Sequence, residues 1–91
     1  MPAKTILVVE DERELNSLVR HHLEEEGHHV VQAFDGPAAL DAAQREHPQL
    51  VVLDWMLPGL DGLEVSRRLR RESIVPILML TARGRSPRPV R

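Results

Sequence analysis

Cysteine is absent from this sequence, which excludes disulfides and thiolate chemistry without naming a compartment. Long apolar runs are absent too. None approaches the roughly 20 residues needed to cross a bilayer, and Met1-Pro2-Ala3-Lys4-Thr5 leads into a short apolar run with no cleavage-site pattern, so no signal peptide is expected. A cytoplasmic protein with no membrane partner is the default reading. Aromatic residues make up only 2% of the chain. None falls in the arginine-rich last nine residues, so that end reads as a solvated tail rather than a nucleic-acid-binding segment. Lysine occurs once, as Lys4.

What is present describes a single globular domain. Apolar residues are 42% and charged residues 29% of 91, a soluble-protein profile. The formal charge of −2 is divided unevenly: residues 1–82 carry 14 acids against Lys4 and seven arginines, a balance of −6, and residues 83–91 carry four arginines and no acid. An acidic body argues against direct nucleic-acid binding. The chain therefore divides into a folded part over residues 1–82 and a basic tail over 83–91, whose two prolines and four arginines predict disorder.

Four apolar runs recur at intervals of about 25 residues: 5–9, 30–31, 50–53 and 77–80. Three lack alternation, as strands of a parallel sheet buried on both faces do. The second is short and flanked by His28, His29 and Gln32, which suits an edge. Helical patterns fill the gaps. Leu15, Leu18, Val19 and Leu23 make one stripe, with Asp11 and Glu14 spaced as a capping box and Gly27 as a stop. A second helix opens at Asp35-Gly36-Pro37 and ends at His47-Pro48; a third opens at Asp61, three residues before Glu64, and carries Leu63, Val65 and Leu69. The pattern β-α-β-α-β-α-β predicts an α/β sheet with right-handed crossovers.

The residues at the carboxyl ends of these strands carry the chemistry. The first strand runs into Glu10-Asp11, the third into Asp54 and the fourth into Thr81. If the first and third strands are neighbours, three acids converge on one crevice. Close like charges raise each other's pKa unless a cation neutralises them. An oxygen-only set favours a hard divalent ion, Mg²⁺ above all. A carboxylate beside Mg²⁺ is suited to accept a phosphoryl group, which a nearby hydroxyl such as Thr81 can hydrogen-bond. Plainer readings stand beside this one. Asp11 and Asp61 fit as helix caps, Thr81 as an ordinary strand end, Pro58-Gly59 as a type II turn, and Trp55 as a packing residue. His21-His22 and His28-His29, with no cysteine nearby, fit a solvated surface better than zinc.

Residues 4–82 resemble the receiver domain of bacterial two-component response regulators. The likeness rests on ILVVEDE (6–12), VVLDWMLPGLDGLEV (51–65) and PILMLTA (76–82), in order and correctly spaced. The resemblance implies a flavodoxin-like doubly wound parallel sheet, here with four strands in the order 2-1-3-4 and three helices. It implies that Asp54 accepts a phosphoryl group from a histidine kinase or phosphotransfer protein. Asp11 would bind Mg²⁺ directly and Glu10 mainly through water, Met56 would offer its backbone carbonyl, and Thr81 would be the switch hydroxyl. The Leu-Pro-Gly-Leu-Asp-Gly stretch most resembles regulators with a winged-helix output domain.

The sequence also departs from that family. A full receiver continues through a fourth helix, a fifth strand ending in a lysine, and a fifth helix, and Lys4 lies at the wrong end of the sheet to replace that lysine. The expectation is a receiver truncated at its C-terminus, without an output domain and not an enzyme. Two other functions fit the same residues. One is a non-switching fragment that only binds partners. The other is a Mg²⁺-dependent phosphohydrolase with an aspartate nucleophile, disfavoured because Met56 stands where such enzymes carry a second acid. An uncovered fourth strand predicts self-association through its edge.

Overall fold

The computed structural model describes residues 3–54, 57 and 61–80. Strand β1 is Thr5–Val9, β2 His29–Ala33, β3 Leu50–Asp54 and β4 Ile77–Leu80; helix α1 is Arg13–Glu25, α2 Gly36–Glu46 and α3 Gly62–Glu72. All strand pairs are parallel. The order is β2-β1-β3-β4, which agrees with the expected topology and places β2 at an edge.

The two faces of the sheet are covered by different helices. Leu7, Val9, Val51 and Leu53 pack with Ala39 and Ala42 of α2 and with Val65 and Leu69 of α3. The alternate residues Ile6, Val8 and Val52 pack with Val19 and Leu23 of α1. The period-2 strand pattern thus sorts each apolar run onto both layers, which is why β1 and β3 read as unbroken apolar sequence.

Helix boundaries follow local chemistry. The Asp35 carboxylate accepts the Ala38 N–H at 2.8 Å to start α2, with Pro37 in its first turn. The Asp61 carboxylate accepts the Glu64 N–H at 2.9 Å to start α3. Helix α1 ends in a paired closure: the Gly27 N–H donates to Glu24 O and the His28 N–H to Leu23 O, with Gly27 at φ +95°, where a side chain is strained.

Three sequence expectations are corrected. Asp11 is not the N-cap of α1: the helix begins at Arg13 with Glu12 as N-cap, and the Glu12 side chain makes no cap hydrogen bond. Leu18 lies outside the α1 stripe and is 53% exposed, while Asn16 is fully buried in its place. Leu63 is likewise exposed, and α3 packs through Gly62, Val65 and Leu69, spaced by three and four residues as one helical face requires. The basic tail, together with Trp55, Met56, Pro58, Gly59 and Thr81, lies outside the described residues.

Candidate metal centre

The first strand carries the chain to the carboxyl edge of the sheet at Val9, and Glu10 and Asp11 follow. The third strand ends on Asp54 itself. Val9 is in register with Leu53, so Glu10 and Asp54 are the next residues on adjacent parallel strands. The sheet winds in opposite directions from β1 towards β2 and β3, and the crevice between β1 and β3 is where such sheets bind ligands. One carboxylate oxygen from each of Glu10, Asp11 and Asp54 lies within 4.8 Å of the others. Among the described residues this is the only such grouping of His, Cys, Asp or Glu. Glu10 is 4% exposed and Asp54 2%, with Asp11 half-buried at the rim.

Burial governs the electrostatics. Below the two buried acids is a cavity of about 150 Å³, lined by Val8, Leu15, Val19, Val52 and Leu80 as well as by the acids. Loss of solvent pushes the Glu10 carboxyl up from 4.5 to about 7; the Glu12 N–H, which donates to Glu10 Oε2 at 2.7 Å, opposes this, and the charge of Asp54 adds to it. Carboxylates crowded in this way are stabilised by a cation. The donors are all oxygens, and they present more negative charge than a buried site tolerates alone, so they fit a hard divalent ion such as Mg²⁺. Glu10, Asp11 and Asp54 are brought together as the sequence suggests. Met56 and Thr81, the remaining sequence-predicted site residues, lie outside the described residues. His21, His22 and His29 are exposed, and His28 accepts the Lys4 N–H through Nδ1 at 3.3 Å.

One constellation escaped the sequence reading. The Asn16 Nδ2 donates to Glu10 O at 3.0 Å and Ala33 O at 3.1 Å, and reaches Val8 O at 3.4 Å. The Asn16 Oδ1 accepts the Gln32 Nε2 at 2.8 Å. An asparagine in a helix is ordinarily read as solvent-facing; the available signal was its phase, since residues 16, 19 and 23 share one helical face.

The sequence matches the response regulator receiver domain family over residues 6–91. It is 51% identical over 81 residues to the alkaline phosphatase synthesis transcriptional regulatory protein PhoP of Bacillus subtilis (strain 168), covering 88% of this chain and 34% of that protein. It is 52% identical to the probable transcriptional regulator ycf27 of Cyanophora paradoxa, covering 89% of this chain and 34% of that one. The chain thus spans about a third of the length of these curated relatives. Among solved structures, the N-terminal domain of a response regulator receiver protein from Methanoculleus marisnigri JR1 superposes with a TM-score of 0.85 at 35% identity, covering 94% of this chain and 72% of that one. The chemotaxis response regulator CheY4 of Vibrio cholerae gives 0.85 at 31% identity, over 92% and 72%.

Proposed function

Because the chain belongs to the response regulator receiver domain family, we propose that it is a phosphoacceptor module of a two-component phosphorelay, with Asp54 as the acceptor. Receiver domains are signalling modules that bind Mg²⁺ at an acidic pocket and interact with histidine kinases or phosphotransfer proteins. The observation that carries the proposal is the convergence of Glu10, Asp11 and Asp54 at the junction of β1 and β3.

In this reading a carboxylate oxygen of Asp54 attacks the phosphorus of a phosphohistidine donor. The P–N bond breaks, its electron pair returns to the imidazole, and an acyl phosphate forms on Asp54. Glu10, Asp11 and Asp54, with the Met56 carbonyl, would hold Mg²⁺, which would neutralise the charge that otherwise repels the incoming phosphoryl group. The burial of Asp54 restricts water at the acceptor, and Thr81 supplies a hydroxyl for the phosphoryl oxygens. Residues 1–82 make up the receiver and 83–91 a basic tail. The module is cytoplasmic, is not an enzyme, and binds neither nucleic acid nor membrane directly. No helix among the described residues is long and apolar enough to cross a membrane. Among those residues β4 pairs only with β3, and its outer edge is a route to self-association.

Incubation with a small phosphodonor and Mg²⁺ distinguishes this function from a hydrolase. A receiver gives stoichiometric labelling that is lost in Asp54→Ala. Continuous release of phosphate from an ester, or labelling that survives Asp54→Ala, rejects the proposal.

A further inference from the structure

The loop that carries two of the three acids has almost no regular structure of its own. It leaves β1 at Val9 and enters α1 at Arg13. The position of Asp11 depends on what fixes the few peptide groups between. Three observed contacts bear on them, and Asn16 makes one of the three.

The Glu10 N–H donates to Ala33 O at 3.1 Å, which continues the β1–β2 pairing past the last strand residue. The Glu10 carboxylate accepts the Glu12 N–H. The Glu10 carbonyl is held by Asn16 Nδ2 at 3.0 Å. That carbonyl belongs to the planar peptide group shared with Asp11, so fixing its direction fixes the path of the chain into the Asp11 α-carbon. The same Nδ2 group bonds Ala33 O, tying the loop to the end of β2. The Asn16 backbone N–H closes the first turn of α1 by donating to Glu12 O at 2.9 Å. Asn16 therefore grips both ends of the acidic loop.

The amide is itself oriented. A buried carboxamide can present its oxygen or its nitrogen to a given partner. Gln32 on β2 decides this by donating to Asn16 Oδ1 at 2.8 Å, leaving the nitrogen to face the three carbonyls. With no exposed surface, Asn16 has no water to replace these partners.

We propose that Asn16, oriented by Gln32, is a positioning residue that sets the geometry of the Glu10–Asp11 loop and thereby the affinity of the acidic site for its cation. This rests on the phosphoacceptor and Mg²⁺ reading above. Outer partners that orient metal ligands change affinity by about 10–100-fold when removed.

The test measures labelling by a small phosphodonor as a function of Mg²⁺ concentration in the full chain. It compares Asn16→Leu, Gln32→Leu and Leu69→Ala. Leu69 lies in α3 against the opposite face of the sheet, so its truncation lowers stability without touching the loop. Asn16→Leu is expected to raise the Mg²⁺ concentration for half-maximal labelling about tenfold, and Gln32→Leu about threefold, as for loss of one neutral hydrogen bond. Both should regain the wild-type rate at saturating Mg²⁺, and Leu69→Ala should leave the half-saturation point in place. If Asn16→Leu shows no cooperative unfolding, Gln32→Leu alone decides. An unchanged half-saturation point in Gln32→Leu and in any folded Asn16→Leu overturns the inference, and so does an equal shift in Leu69→Ala. Absence of Mg²⁺-dependent labelling in the wild type rejects the phosphoacceptor reading itself and removes this inference with it.

Discussion

On the α2/α3 side of the sheet, Leu7, Val51, Leu53 and Val65 are sealed from solvent, and the contacts are apolar throughout. The α1 side is different. There Ile6 and Val8 are buried, but Leu78 on β4 is 52% exposed, a cavity is lined by Val8, Val52 and Leu80, and the buried groups include Asn16, Glu10 and Asp54. The first face is arranged for burial of apolar surface, the dominant favourable contribution to folding. The second accommodates carboxylates and an amide network that desolvation penalises. Stability and chemistry are thus assigned to opposite faces of the same four strands.

Substitutions on the two faces should separate these roles. The largest effect is expected from Leu7→Ala on the sealed face, a loss of about 2–5 kcal/mol by denaturant unfolding. A comparable loss from Leu78→Ala would erase the contrast. The second effect is pH-dependent and belongs to Glu10. Loss of solvent pushes its carboxyl up from 4.5 to about 7 on folding. Between those values the folded state holds the extra proton, so metal-free stability falls as pH rises through the window. The fall attributable to Glu10 should be missing in Glu10→Gln and reversed by Mg²⁺ above pH 7. Thermal unfolding of both proteins across that range reads the difference directly.

The third comparison sets one acid against another. Asp61→Ala removes an observed cap and should cost about 1 kcal/mol. Asp11→Asn leaves the Glu12 N-cap in place and should leave metal-free stability unchanged or higher while weakening Mg²⁺ binding. The smallest change in stability is expected from Leu78→Lys, within about 0.5 kcal/mol. If the proposed pairing through β4 occurs, it should nonetheless fall in a sedimentation concentration series, because a charge on an edge strand opposes strand pairing.

The sequence made some of this legible for identifiable reasons. An acid directly after an apolar run, as at Val9-Glu10 and Leu53-Asp54, marks a strand end because such a group is costly further inside. Asp61 is readable as a cap because it stands three residues before Glu64, whose N–H it accepts, and the Asp35 cap falls at the helix start that Asp35-Gly36-Pro37 marks. The order of the strands came from resemblance, since four apolar runs do not encode their neighbours. Asn16 and Gln32 were missed because polarity predicts exposure, whereas each here meets a partner that appears only when β1, β2 and α1 assemble. Leu18 reads as core because it follows Leu15 by three residues, but the inward face is centred on Asn16, Val19 and Leu23; Leu63 reads as core on apolar character alone. Asp11 was assigned to capping because Glu14 follows at the right spacing, but the helix starts one residue later than that spacing requires.

The acceptor itself can be identified by chemistry. After labelling with a small phosphodonor and Mg²⁺, borohydride reduction converts an aspartyl phosphate to homoserine, and peptide mass mapping locates it. Conversion confined to Asp54, dependent on Mg²⁺ and strongly reduced in Asp11→Asn, is the predicted result. Conversion at another carboxylate, or at Asp54 without any dependence on Mg²⁺ or Asp11, would contradict the account.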